Sequence, residues 1–365
     1  MGTRTRGFAN NITSPSGVFD ATDLSGVVPA TNLANSSLTN VTEVSPSLGF
    51  SITSVASDPP APSEGQMWYN TTSNTLKGYQ NVSTNAWASG GNLSTARTGL
   101  GASGASNSSA IAFGGSLPPS SATGASESYN GTSWTNTPSL NTARTTLGSA
   151  SAGTQTLALA FGGGPITAAT ESWNGSSWTS VNSMNTARFQ ITGFGVQTSA
   201  LGFGGYTTTT VANTESWNGT SWTSVSSLNS PNRQCGAAGI SNTSGINFGN
   251  GGGTGPISQT ESWNGTSWTI VNSLNTGRGS LSGAGIQTLA LAFGGAIPPY
   301  TGATELWNGT SWTSNPTGLA TARETIGGTG TQTSALAAGG SAATRLANTE
   351  EWTGTVLSTR TITAS

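Results

Sequence analysis

An all-β chain built from repeated four-stranded units is what this sequence predicts, and three observations carry the prediction. The first is a period. Glu215 to Thr223 reads E-S-W-N-G-T-S-W-T, near copies start at Glu127, Glu171, Glu261 and Glu305, and a decayed copy starts at Glu350. The steps between those glutamates are 44, 44, 46, 44 and 45 residues, a period that belongs to stacked or radially arranged units and not to one continuous core. The second is the shortness of the apolar runs. Leu157-Ala158-Leu159-Ala160-Phe161 is typical, bounded by Gly, Ser, Thr and Asn and too short for a helix. The third is a set of markers that keep the same step as the glutamates.

Each unit opens on an arginine that closes a small polar run, at Arg97, Arg144, Arg188, Arg233, Arg278 and Arg323. A strand should follow it. A second strand should end at a glycine pair, as at Phe113-Gly114-Gly115, Phe161-Gly162-Gly163, Phe203-Gly204-Gly205 and Phe293-Gly294-Gly295. The fourth copy reads Phe248-Gly249-Asn250 and the sixth Ala338-Gly339-Gly340. A loop of varied length leads to the glutamate. Trp173-Asn174-Gly175-Ser176-Ser177-Trp178 then reads as a hairpin, since Asn-Gly tolerates positive φ at the tip and sets the two tryptophans on paired strands. The second tryptophan of the motif stands at Trp134, Trp178, Trp222, Trp268 and Trp312, while the sixth unit has Val356 and Leu357 there. Upstream, Tyr79 and Trp87 look like an orphan outer hairpin. The expectation is that Ala86 to Ser89 completes the last unit, with the segment from Val356 onward as the competing candidate.

Arginine, double glycine, glutamate with an aromatic, and later tryptophan resemble the kelch repeat in order and spacing, over roughly Lys77 to Thr355. The resemblance implies a six-bladed kelch-like β-propeller. Glycines would let inner strands approach closely, and each tryptophan between blades can bury about 150–250 Å². At about 25 cal/mol per Å² that is several kcal/mol per ring before entropy is subtracted, which compensates for a chain with 33% hydrophobic residues and 52 glycines. The glutamates Glu127, Glu171, Glu215, Glu261, Glu305 and Glu350 and the six arginines are read as structural: glutamate to arginine or backbone amides, arginine to carbonyls at the crossover.

Residues 1–60 differ in kind. Sparse apolar residues among Ser, Thr, Asn and Gly, as in Asp23-Leu24-Ser25-Gly26-Val27-Val28-Pro29, cannot bury a core alone. The segment is expected to be an extended N-terminal arm. Residues 61–79 are expected to form a Pro-rich linker and a short β-hairpin, with Asp58-Pro59-Pro60-Ala61-Pro62 as the stiff element, and residues 80–365 to form the propeller. Gly65-Gln66-Met67-Trp68-Tyr69-Asn70-Thr71-Thr72-Ser73-Asn74-Thr75-Leu76-Lys77 resembles a hairpin common in tail-fibre and other virion proteins of tailed bacteriophages. Leu24 to Leu33 looks like phage fibre attachment regions. Together they look like structural proteins of marine phages, cyanophages in particular. The resemblance implies a virion protein assembled in the host cytoplasm, anchored through residues 1–60 to other virion proteins and perhaps trimeric through that arm.

Composition excludes much else. With 11 basic and 13 acidic residues, net −2, no basic run could track a phosphate backbone, so no nucleic-acid partner is expected. No apolar stretch approaches membrane-spanning length, so no membrane insertion is expected. Histidine is absent and Cys235 is the one cysteine. That removes the commonest general base, the usual zinc sites, any Cys-His nucleophile pair and internal disulfides. Some kelch propellers are copper oxidases, but the histidine ligands they need do not exist here. No enzyme, metal or cofactor is expected. A glycan-cleaving enzyme needs only two carboxylates, yet glutamates that recur once per unit suit a frame better than one asymmetric site.

What varies between uniform units is the better functional signal. The loops after the glycine pair run over residues 116–121, 164–167, 206–211, 251–257, 296–300 and 341–346. They should share one face with the crossovers, opposite the Asn-Gly tips, and loops on a rigid scaffold are where binding resides. The candidate binding residues are Leu117, Pro119, Ile166, Tyr206, Ile257, Pro299, Tyr300 and Arg345, around one mouth of the central channel. Host-surface glycan or another protein is the expected ligand. The alternative is a decoration or assembly module on capsid, neck or baseplate with no receptor role.

Overall fold

The computed structural model describes residues 52–82, 84–251 and 257–362. Among these the regular structure is entirely β, without a helix, and most strands fall into four-stranded sheets. The chain divides into two compact units, Met1–Ser83 with Val356–Ser365, and Thr84–Thr355. The expected arm, residues 1–60, lies outside the described residues up to residue 51.

In the first unit the expected hairpin is present as Met67–Asn70 paired antiparallel with Thr75–Val82. Asn70 Oδ1 accepts the backbone N–H groups of Thr72 and Ser73 across the turn, at 3.1 and 2.9 Å, and Asn74 takes the left-handed conformation there (φ 52°). The hairpin is not alone. Thr53–Val55 adds parallel to one edge and Val356–Ile362 antiparallel to the other, so strands expected in the arm and in the propeller both belong to this sheet. A two-stranded hairpin leaves both edges unpaired and is marginal in water; the flanking strands satisfy those edges. Asp58, expected to lie in a stiff linker, instead accepts hydrogen bonds from Trp68 Nε1 (3.0 Å), Asn70 Nδ2 (2.7 Å) and Lys77 Nζ (2.8 Å).

The Thr84–Thr355 unit holds six four-stranded antiparallel sheets. The first is Gly101–Ser106, Ser109–Phe113, Ser126–Tyr129 and Trp134–Thr137. The second is Gly148–Ser149, Ala158–Phe161, Thr170–Trp173 and Trp178–Val181. The third is Thr192–Val196, Ser199–Phe203, Thr214–Trp217 and Trp222–Val225. The fourth is Gly236–Ser241, Ser244–Asn250, Ile257–Trp263 and Trp268–Val271. The fifth is Ser282–Ile286, Leu289–Phe293, Thr304–Trp307 and Trp312–Asn315. The sixth takes Gly327–Gly330, Ser334–Ala338 and Thr349–Thr353 from its own repeat and its outer strand, Ala86–Ser89, from far upstream. That strand sets Trp87 opposite Trp352, as Trp178 stands opposite Trp173 in the second sheet.

First strands of successive sheets touch in cyclic order, the last against the first. Just before each first strand, one residue closes a ring of backbone hydrogen bonds. The N–H of Thr146 donates to Gly99 O (2.7 Å), Gln190 to Thr146 (2.9 Å), Gln234 to Gln190 (3.1 Å), Ser280 to Gln234 (2.8 Å), Thr325 to Ser280 (2.8 Å) and Gly99 to Thr325 (3.0 Å). All six ring residues have positive φ, between 47° and 63°, although only Gly99 is a glycine; the closed ring holds the other five in a conformation costly for L-residues. This arrangement is consistent with a β-propeller.

Sheets are sealed to one another by the tryptophans. Trp222 packs edge-on against Phe161 of the preceding sheet, ring centroids 4.9 Å apart, and its indole N–H donates to Thr170 Oγ1 of that sheet at 3.0 Å. The same indole-to-hydroxyl bond recurs from Trp178, Trp268, Trp312, Trp87 and Trp134 to Ser126, Thr214, Thr260, Thr304 and Thr349. The glycine pairs make room for the crossovers. Gly162 lies at φ 61°, and a Cβ there would stand 2.7 Å from Arg188 O, while the next N–H, of Gly163, donates to that same oxygen at 2.8 Å. No other residue fits that approach.

Candidate functional site

The repeat arginines and glutamates are frame-building groups. Arg144 is fully buried. Its Nη1 donates to Gly162 O (3.0 Å) and Ala169 O (2.7 Å), and its Nη2 to Glu171 Oε1 (2.9 Å). Glu171 also accepts the backbone N–H groups of Asn141 (2.7 Å) and Thr142 (3.3 Å), which ties the crossover to its own sheet. Arg97–Glu127, Arg188–Glu215, Arg278–Glu305 and Arg323–Glu350 repeat the pair. Burial pushes the guanidinium of Arg97, Arg144 and Arg188 below its usual value and that of Arg278 down to about 10, against the opposing pull of the adjacent carboxylate.

The fourth sheet departs from the expectation. Arg233 does not reach Glu261. The residue that occupies the arginine position is Asn232, whose N–H donates to Val211 O at 3.2 Å, as Arg144 N–H does to Thr123 O at 3.2 Å. Arg233 stands one residue later, with its guanidinium 5.0 Å from the centroid of the Tyr206 ring. The cause is local spacing. From the buried upstream apolar residue to the arginine is four positions in Leu140–Arg144, Met184–Arg188 and Leu274–Arg278, but five in Leu228–Arg233. A register read from the apolar anchor instead of from the arginine would have found this.

The antiparallel register puts the Asn-Gly tips at one end of each sheet and the variable loops at the other, beside the ring. The first residue of each loop bonds to the residue following the arginine position: Ser116 N–H to Thr98 O (2.8 Å), Gly164 to Thr145 (2.7 Å), Tyr206 to Phe189 (2.8 Å), Gly251 to Arg233 (2.9 Å), Ala296 to Gly279 (2.8 Å) and Ser341 to Glu324 (2.9 Å). Inside that circle, the ring residues and first strands line a cavity of about 110 Å³. Of the sequence-predicted residues, Arg345 joins two loops, its Nη2 donating to Ser116 Oγ (3.1 Å) and Ser120 Oγ (3.3 Å), which brings it beside Leu117 and Pro119. Tyr206 meets Phe189 edge-on, centroids 5.3 Å apart. Ile166 is exposed, as is Pro299, while Tyr300 and Ile257 are half-buried; no contact joins these four to one another. Burial raises the Glu324 carboxyl.

Two further sets of groups escaped the reading of the sequence. Amides on the turn between first and second strands reach the preceding sheet: Asn107, Gln155, Gln197, Asn242, Gln287 and Gln332 donate to the carbonyls of Trp352, Tyr129, Trp173, Trp217, Trp263 and Trp307. In the first sheet, Tyr129 replaces the inner tryptophan and its hydroxyl donates to Glu351; burial and then that carboxylate push the phenol up to about 12. Among the described residues no cluster of three or more His, Cys, Asp or Glu side chains is placed to hold a metal ion. No protein-family model matches the chain, and neither does any curated protein sequence.

Proposed function

We propose that the chain is a six-bladed kelch-like β-propeller that serves as a non-enzymatic structural protein of a tailed-phage virion. The propeller would present its variable-loop face to a host-surface glycan or to another virion protein, and residues 1–60 would anchor it to the particle. The observation that carries the reading is the contrast within each sheet. Five of six buried glutamates are held by a guanidinium and backbone amides, and all six recur once per sheet, whereas the loops around the ring share neither length nor composition. Groups locked into a frame are poor acids and bases; loops on a rigid frame are free to be selected for binding. The cyclic contacts and ring support the propeller, the four linked markers support its kelch character, and the Gly65–Lys77 hairpin resemblance supports the virion assignment.

Tyr206 and Tyr300 offer the aromatic faces on which sugars stack. Replacing both with alanine should remove binding in a glycan array while leaving the thermal unfolding midpoint within the range of a surface change, about 0.5 kcal/mol each. Unchanged glycan binding would move the function away from this face. Deleting residues 1–51, which spares Thr53–Val55, should leave the protein folded but absent from assembled particles. Incorporation of the truncated chain would show that the arm is not the anchor. Labelling in intact particles separates the two roles, since a distal, low-copy position fits adhesion and a lattice position fits assembly.

A further inference from the structure

The fourth sheet keeps its glutamate but has lost the arginine that the other five use. Glu261 is 2% exposed. It accepts from Asn229 N (2.9 Å), Asn229 Nδ2 (2.7 Å) and Gln259 Nε2 (3.1 Å), all neutral donors. Among the described residues it makes no ion pair, and the Gly-Gly-Thr-Gly-Pro segment at 252–256 brings no cationic residue. A buried carboxylate without a compensating cation is costly.

Space is left where the guanidinium would be. A cavity of about 90 Å³ is bordered by Asn232, Asn247, Gly249, Gln259 and Glu261, well above the roughly 15 Å³ that one water requires on a comparable measure. Two of those residues, Gly249 and Gln259, correspond to Gly162 and Ala169, whose carbonyls take the guanidinium of Arg144 in the second sheet. Asn232, itself only 7% exposed, borders the same space, and its Oδ1 has no hydrogen-bond partner. A planar cation with several N–H groups matches this set: a carboxylate, an unused amide oxygen and carbonyl-bearing walls.

We propose that this cavity is a binding site for a guanidinium group, either a free guanidinium compound or the end of an arginine side chain from a partner. Each cation would restore the contact that Arg97, Arg144, Arg188, Arg278 and Arg323 supply within the chain. Arg233 is committed elsewhere, over the Tyr206 ring.

The test is thermal unfolding of the full chain with millimolar guanidinium chloride, against equal concentrations of sodium and ammonium chloride. At such concentrations the denaturing action of guanidinium, which grows linearly with molar concentration, is negligible. Guanidinium at ten times its dissociation constant should raise the midpoint by about 2–4 °C, with no comparable response to the other salts. N-acetylarginine amide forms a second arm: a matching rise assigns the site to an arginine side chain, and a rise with the bare ion alone assigns it to a free compound. Asn232→Arg should abolish the guanidinium response by filling the cavity, and Glu261→Gln by removing the charge. Should Glu261→Gln fail to fold, the ion selectivity of the unaltered protein and the Asn232→Arg variant still decide. No rise, an equal rise with all three salts, or a response that survives Asn232→Arg overturns the proposal.

Discussion

Glu171 in the second sheet and Asp58 beside the first unit's hairpin face similar partners in different surroundings. Glu171 accepts from a guanidinium and two backbone amides; Asp58 accepts from an ammonium, an indole and a side-chain amide. The Glu171 side chain is 1% exposed and that of Asp58 36%. Hydrogen bonds from Lys77, then Trp68 and Asn70, hold the Asp58 carboxyl down at about 2, so its partners win over desolvation. Around Glu171 the balance runs the other way, because burial outweighs the carboxylate in its effect on Arg144. The lesson is that the same bond list is a trimmed surface clamp in one place and an all-or-nothing buried pair in the other.

The largest expected effect comes from breaking the buried pair. Glu171→Gln leaves the Arg144 guanidinium buried without its counter-charge and should cost about 3–5 kcal/mol in urea unfolding. Glu261→Gln, at the matching position of the fourth sheet, strands no cation and should cost about 1–2 kcal/mol or less. Equal losses at the two sites would mean that the arginines contribute through packing and not through charge. The smallest effect belongs to Asp58. Its folded value lies below the usual 3.8, so its contribution is fully present above about pH 4 and fades as pH falls towards 2. Trp68 fluorescence should report a change in that window, and Asp58→Asn should remove it. A titration centred near the ordinary carboxyl value would show that the three hydrogen bonds do not persist in solution.

Much of the frame was legible in the sequence because its groups must recur. The glycine pairs, the Asn-Gly tips and the paired tryptophans each answer a steric demand that every sheet repeats, and even the incomplete last repeat pointed to Ala86–Ser89. What was not legible depends on register or on closure. Arg233 carries the right identity one position late, and only its distance from Leu228 reveals it. The left-handed residues Thr146, Gln190, Gln234, Ser280 and Thr325 have no common side-chain chemistry, since a backbone ring selects a conformation and not a residue type. Asp58 sits in a proline-rich stretch whose composition says linker, and its role depends on three donors 10 to 19 positions away.

Ala86–Ser89 waits for Thr349–Thr353 as its only strand partner. During synthesis 264 residues, from Ser89 to Thr353, separate the two, which at about 5–20 residues per second is a wait of roughly 13 to 50 s. Throughout that interval the earlier repeats can form their own sheets, but the first of them has no neighbour on one side and Trp87 has nothing to cover. The nascent protein is therefore an open arc with two sticky ends, able to join a second arc as readily as itself. Concentration at the site of synthesis, and not only sequence, then decides whether the product is a closed monomer or a strand-exchanged pair.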